Sequence, residues 1–196
     1  MSEWWTYRLV DFLMFSPRTY WRLVATYNRE VWPLQIAAIA VGLALLWFAA
    51  RRPRAAARVV LPVLALAWLW VGWAFHWQRY ATINWGARPV AVAFAVEATL
   101  LLAVALGRVA PPRPARERMR RAGLALALGG LLLYPVLSPA MGRHWPQAEV
   151  FAVMPEPTAL VTVGLLLAVQ PRCVTALAVV PGLSLALGAA TWWLIG

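Results

Sequence analysis

The chain has one cysteine, two histidines, seven acidic residues and, among eighteen basic residues, no lysine. The lone Cys173 excludes an intrachain disulfide and any metal site made of cysteine alone; it reads as a small apolar filler near a helix end. Charged residues make up 13% of the chain and hydrophobic ones 63%, against about 25% charged and 45–50% apolar in soluble domains. That balance excludes an ordinary soluble domain and indicates an all-α integral membrane protein. The use of arginine alone fits a GC-rich coding sequence and carries no functional weight.

Also missing are the local signatures of common chemistry. There is no Walker loop, HExxH pair, paired CxxC, dinucleotide fingerprint or GxSxG elbow, so the chain reads more as a non-enzyme than as an enzyme and no cofactor is expected; catalysis assembled from distant residues stays open, with His76 and Glu97 or His144 and Glu149 as the pairs for a lipid-directed enzyme. The opening residues lack the apolar core of a secretory signal. A net charge of +11 raises nucleic acid as a partner, but its arginines fall in short gaps between apolar runs rather than on a soluble reading element. Nucleic acid is therefore not expected, and the lipid bilayer is.

What is present is a series of apolar runs. Spans of about 20 residues place helices over 33–50, 59–77, 89–107, 122–141 and 174–195, with a shorter run at 158–170 as a sixth. Residues 33–196 form a six-helix bundle, and residues 1–32 precede it as amphipathic interfacial helices. In the first of these, Trp5, Leu9 and Phe12 recur at helical spacing with Arg8 and Asp11 between them. Ser16 and Pro17 supply a cap and a first-turn proline for the second, which places Tyr20, Val24 and Tyr27 on one face for the headgroup plane.

Arginine-rich short loops resist translocation, which assigns loops 51–58 and 108–121 to the cytoplasm and both termini to the outside of a bacterial inner membrane. Trp32, Trp77, Trp85, Trp145, Trp192 and Trp193 then form a belt at the outer face. Arg8, Arg18, Arg22 and Arg29 on that same side run against the rule.

The candidate solute- or ion-binding residues lie in the outer half of this arrangement. Glu97, about 12 Å into its helix, is costly there unless paired, protonated or beside water. It reads equally as a cation ligand or proton carrier and as a packing carboxyl. His76 has Gly72 and Tyr80 one turn away; Gly72 suits a close helix approach and Tyr80 a hydrogen bond to the imidazole or to a bound solute, while among Trp70, Trp73 and Trp77 the histidine also reads as an amphipathic interface residue. Asn84 and Arg79 follow in the loop, where asparagine is an ordinary turn residue.

In HWPQAEVFAVMPEPTALVTVGLLL, Pro155 and Pro157 interrupt any continuous helix. The short helix should begin near Pro157 or Thr158, below the outer surface, with the preceding segment as the wall or gate of a vestibule. Glu156 sits beside the positive end of that helix. His144 and Glu149 complete the candidates, although no His-x-His or Glu-x-x-His pair fixes a metal geometry. On the last helix, Gly182, Ala186 and Ala190 form a small-residue face suited to helix packing.

Four segments together, FSPRTYWRLVATYNREVWPLQ, WAFHWQRYATINWGA, HWPQAEVFAVMPEPTALVTVGLLL and VVPGLSLALGAATWW, resemble an uncharacterised family of small bacterial polytopic membrane proteins, sometimes labelled permease-like. The resemblance covers nearly the whole chain. The family often has glycine after the phenylalanine matched by Phe151, and cysteine between the prolines matched by Pro155 and Pro157. Ala152 and Glu156 stand there instead, so no thiol role carries over. The functional expectation is an outward-facing polar vestibule that binds or transports a small solute or cation. The alternative is a non-catalytic accessory subunit of a larger membrane complex, or a homo-oligomer.

Overall fold

The computed structural model describes residues 15–107, 116–169 and 173–195, which are helical with short connections and contain no strand. Trp5, Arg8, Leu9, Asp11, Phe12, Arg108 and Arg113 lie outside the described residues. Five helices are long and apolar enough to cross a membrane, at Leu34–Arg51, Ala55–Thr82, Ala87–Ala105, Glu117–Ala140 and Val174–Leu194. The count of six is corrected to five: the short sixth run is the helix Pro155–Val169, whose 15 residues exceed the 13 expected but reach about 22 Å against the roughly 30 Å of a hydrocarbon core.

In chain order the elements are α1 (Pro17–Glu30), α2 (Leu34–Arg51), α3 (Pro53–Trp70), α4 (Ala87–Ala105), α5 (Glu117–Leu128), α6 (Tyr134–Ala140), α7 (Pro155–Val169), α8 (Val174–Leu177) and α9 (Val179–Ile195). Two widened π turns interrupt this series. One, Val71–Trp77, extends α3 and carries His76; the other, Gly129–Leu133, joins α5 to α6. The first ends with the Gln78 amide donating to the Trp73 carbonyl, five residues back, a geometry frequent at functional sites.

Large apolar side chains cover the outside: Trp47, Leu66, Val92, Leu133 and Trp193 are each more than half exposed. The interior is made by close backbone approaches. Gly123 on α5 and Gly164 on α7 face each other, and a methyl on Gly164 would stand 2.6 Å from the Gly123 carbonyl and 2.5 Å from the Ala127 amide. Gly72 admits Phe94 of α4 in the same way.

The small-residue face expected on α9 is not the packed one. Gly182, Ala186 and Ala190 are exposed, and nothing lies within 4 Å of a methyl added at Gly182. The buried stripe is Pro181, Ser184 and Gly188, with the Glu156 side chain of α7 lying against Gly188.

Helix α1 begins as its sequence suggests, with the Ser16 hydroxyl accepting from the Thr19 amide and Pro17 in the first turn. Its Tyr20, Val24 and Tyr27 face is buried, but against the bundle rather than against lipid. Tyr20 meets Tyr80, Trp21 meets Trp192 and Tyr27 meets Phe75. Arg79 fastens the arrangement: it donates to the Glu30 carboxylate and to the Ala74 carbonyl and lies over the Tyr27 ring. At the opposite end of the bundle, Glu117 pairs with Arg120 and Arg121, and Arg120 also donates to the Ala50 carbonyl.

Helix α7 starts at Pro155, earlier than expected, and takes both prolines into its first turn. Those positions need no intrahelical donor, so proline costs little there. The irregular segment before it is buried, with Phe151, Val153 and Met154 fully inside. Its backbone is held by α7 itself. The Ala152 amide donates to the Thr158 hydroxyl, which donates to the Met154 carbonyl. One turn on, Thr162 donates to the Thr158 carbonyl and accepts from the Trp68 indole.

Ala152 lies at φ +57°, a left-handed conformation that glycine enters freely and alanine does not. The glycine often found here in the resembling family is the residue this φ favours. Ala152→Gly is expected to stabilise the protein by about 1 kcal/mol, or roughly 2–4 °C for a chain of this length, measured as thermal unfolding in detergent. A lowered midpoint would show that the methyl's packing outweighs its backbone strain.

Candidate functional site

Where α1, the π turn, the start of α4, the first turn of α7 and the end of α9 converge, they enclose a cavity of about 240 Å³. Its wall contains His76, Tyr80, Asn84 and Glu156, four of the eight residues singled out from sequence. Tyr20, Phe75, Ser184, Gly188 and Thr191 also line it.

Several of the wall's polar groups are already used. The Asn84 amide donates to the Tyr80 hydroxyl, while its carbonyl oxygen accepts from the Gly86 amide. Thr191 donates to the Leu187 carbonyl. Of the two partners expected for the Tyr80 hydroxyl, the imidazole or a bound solute, the imidazole is not hydrogen-bonded to it; the hydroxyl meets Asn84, and the ring stacks on Phe75 with ring centres 5.6 Å apart.

His76 and Glu156 are different. His76 is 6% exposed and neither ring nitrogen has a hydrogen-bond partner among the described residues. Glu156 is 8% exposed, and its Oε2 is likewise unpartnered. Its side chain lies along Gly188, where an added methyl would overlap the Glu156 Cγ and carboxyl. Gly188 is thus the space that the carboxyl occupies. No cationic side chain pairs with Glu156 among the described residues.

The α7 terminus adds little positive potential of its own. Of the first four amides, Pro155 and Pro157 have none, and Thr158 donates back to the Met154 carbonyl. Only the Glu156 amide remains, in place of the set of free N–H groups expected from a helix start.

Glu149 lies on the buried segment before α7, 1% exposed, with neither oxygen hydrogen-bonded among the described residues. Burial, followed by the nearby Glu156 carboxyl, pushes its pKa well above the ordinary carboxylate range, while Tyr134 and Arg143 oppose that. Arg143 is itself held between the Trp21 and Trp192 rings, at 3.8 and 4.2 Å. Tyr20 also faces the Glu149 and Glu156 pair.

The other candidates do not join the cavity. Glu97 is fully buried with both oxygens unpartnered, but the wall uses Ala87 and Val90 of α4. Glu97 is seven residues beyond Val90, about 10 Å deeper, with Phe94 packed edge-on to His76 on the intervening turn. Thr158 is committed to the Ala152 and Met154 backbone. His144 is exposed, with its amide donating to the Gln147 side chain, and is separated from the buried Glu149. No group of three or more His, Cys, Asp or Glu able to hold a metal ion occurs among the described residues.

Sequence reasoning passed over Asn28. Its amide donates to the Pro146 and Ala148 carbonyls, both at 2.8 Å, and its own carbonyl accepts from Gln35. An asparagine two residues from a helix end carries no distinguishing local signal. Ser184, Gly188 and Thr191 were legible only as a second stripe on α9, rotated from the one chosen.

Fold and site together define an all-helical protein with an apolar exterior and a small, carboxyl-bearing aromatic cavity at one end. The chain belongs to DUF6064, a family of unknown function, whose model matches residues 18–195. No curated protein and no solved structure matches it.

Proposed function

We propose that this is a multi-pass protein of the bacterial inner membrane whose cavity opens at the outer face and binds a small solute there. The observation that carries the reading is the convergence of His76, Tyr80, Asn84 and Glu156, from the π turn, the following loop and α7, on one cavity. Buried polar groups are normally hydrogen-bonded, so two unpartnered ionisable side chains in one cavity wall are poorly explained by packing.

The orientation draws on charge and aromatics. Loops 51–58 and 108–121 carry the arginine clusters of the sequence, and their described members Arg51, Arg52, Arg58, Arg116, Arg118, Arg120 and Arg121 belong to the end of the bundle away from the cavity. Trp32, Trp85, Trp145 and Trp193, all exposed, belong to the cavity end. Movement of the solute across the membrane is the natural extension, with the segment from Glu149 to Thr158 as wall or gate and Glu97 as a deeper carboxyl. The accessory-subunit reading draws on α9, whose Gly182, Leu183 and Ala186 are exposed; a stoichiometric partner in a mild-detergent preparation from native membranes would favour it.

The vestibule is tested by side-specific labelling. In a Cys173→Ser background, Thr191→Cys should react with a membrane-impermeant maleimide added outside spheroplasts, whereas Ala127→Cys in the core should not. Labelling only in inverted vesicles would reverse the orientation, and labelling from neither side would remove the vestibule.

A further inference from the structure

We propose that the ligand of this cavity is a small organic ammonium ion, a short aliphatic body carrying a primary amine, with its nitrogen between Glu156 and His76. The inference rests on the vestibule reading and deepens it by naming the chemistry that the wall accepts.

Hydrogen-bond supply and demand come first. Asn84 and Thr191 have their groups committed within the wall, and the Tyr20, Tyr80 and Ser184 hydroxyls that also line it can turn to suit either a donor or an acceptor; the unpartnered groups with fixed demands are the Glu156 Oε2 and the two His76 nitrogens. A carboxylate accepts, and a neutral imidazole offers one acceptor and one donor. The carboxylate can only accept, and an ammonium group brings three donors to it together with the opposite charge.

Charge points the same way. Glu156 has Glu149 nearby and no cation paired with it among the described residues. Arg143, the basic residue that faces Glu149, is held between two tryptophans instead. A ligand cation would supply the charge partner that Glu156 lacks among the described residues. The nearly amide-free start of α7 argues against an anion, which a helix N-terminus would otherwise attract.

The remainder of the wall is aromatic. Tyr20 and Phe75 each contact Tyr80, at 5.7 and 5.6 Å between ring centres, and ring faces attract a cation while they cover its alkyl part. A bare hard cation fits less well, since calcium takes six to eight oxygen ligands and the free oxygens here are few. At about 240 Å³ the cavity is below the roughly 300–1,000 Å³ of drug-sized sites, which limits the ligand to a short chain.

The probe is propylammonium chloride at neutral pH, with 1-propanol as the uncharged analogue of equal heavy-atom count. The full chain, carrying Cys173→Ser and Thr191→Cys and reconstituted in nanodiscs, is labelled with the maleimide in the presence of each. Propylammonium should slow labelling saturably by at least fivefold, and 1-propanol should not. Adding Glu156→Gln should weaken the protection at least tenfold in concentration. Labelling that propylammonium leaves unchanged, or that 1-propanol slows equally, overturns the ammonium assignment while the vestibule stands. Protection that survives Glu156→Gln overturns it as well. If Glu156→Gln does not fold, the comparison of the two probes on the Glu156-containing protein decides alone. Absence of labelling without any probe removes the vestibule and the inference together.

Discussion

Replacing Gly164 by leucine is expected to abolish the accumulation of folded protein. A side chain there has no direction in which to go: even a methyl would sit 2.5 Å from the Ala127 amide and 2.6 Å from the Gly123 carbonyl. On the partner helix, a methyl at Gly123 would overlap the Gly164 carbonyl and stand 2.7 Å from the Ala168 amide. Both obstacles are backbone, which cannot rotate away as a side chain can. Overpacking a core with movable side chains costs about 1–3 kcal/mol, and separating two helices should cost more. In a bilayer, where apolar contact between helices gains little over contact with lipid, close backbone approach through small residues is a main source of association. Fluorescence-detected gel filtration should show Gly164→Leu aggregated or absent. Gly182→Leu, where α9 is open, should elute as the unsubstituted protein does. A monodisperse Gly164→Leu peak would show that α5 and α7 do not touch through these glycines.

Asn28→Leu is expected to lower stability by about 2–6 kcal/mol, one part-buried and one buried carbonyl at roughly 1–3 kcal/mol each losing their donor. Leucine matches the shape of asparagine, so the loss isolates the two 2.8 Å bonds to Pro146 and Ala148. Those bonds tie the segment before α7 to α1. Its release should therefore appear as faster amide hydrogen exchange over residues 145–154, with a lower thermal midpoint. Unchanged exchange there would mean that the Thr158 bonds hold the segment unaided.

How far the sequence foretold this arrangement depended on what kind of signal each feature has. Apolar runs mark helices whatever the tertiary context, and the five long ones lie close to where hydropathy put them. The start of α1 was legible because Ser16 and Pro17 act locally. Helix α7 began two or three residues early because proline, read as a breaker, is tolerated in a first turn. Depth along a helix misplaced Glu97: the cavity sits at the start of α4, and seven residues separate its lowest α4 contact from the carboxyl. His76 and Glu156 were singled out by local context, one between Gly72 and Tyr80 at helical spacing and the other beside the start of a helix, and both line the cavity. Gly188 was not, since its role exists only when the Glu156 side chain is laid across it. The same holds for Gly123 and Gly164: each opens a small-xxx-small pattern with Ala127 and Ala168, but no local rule says which two patterns meet.

The central claim is that α7 and α9 meet through Glu156 and Gly188 to form the wall of the cavity. Cysteine pairs in a Cys173→Ser background test it most directly, by mild oxidation in the membrane and mass spectrometry of the peptides. Glu156→Cys with Gly188→Cys should form an intrachain disulfide in most molecules, because a Cβ at 188 would overlap the Cγ position of residue 156 and falls within disulfide reach. Glu156→Cys with Gly182→Cys should stay reduced. A 156–182 bridge without a 156–188 bridge would contradict the packing of α9 on α7, and with it the cavity.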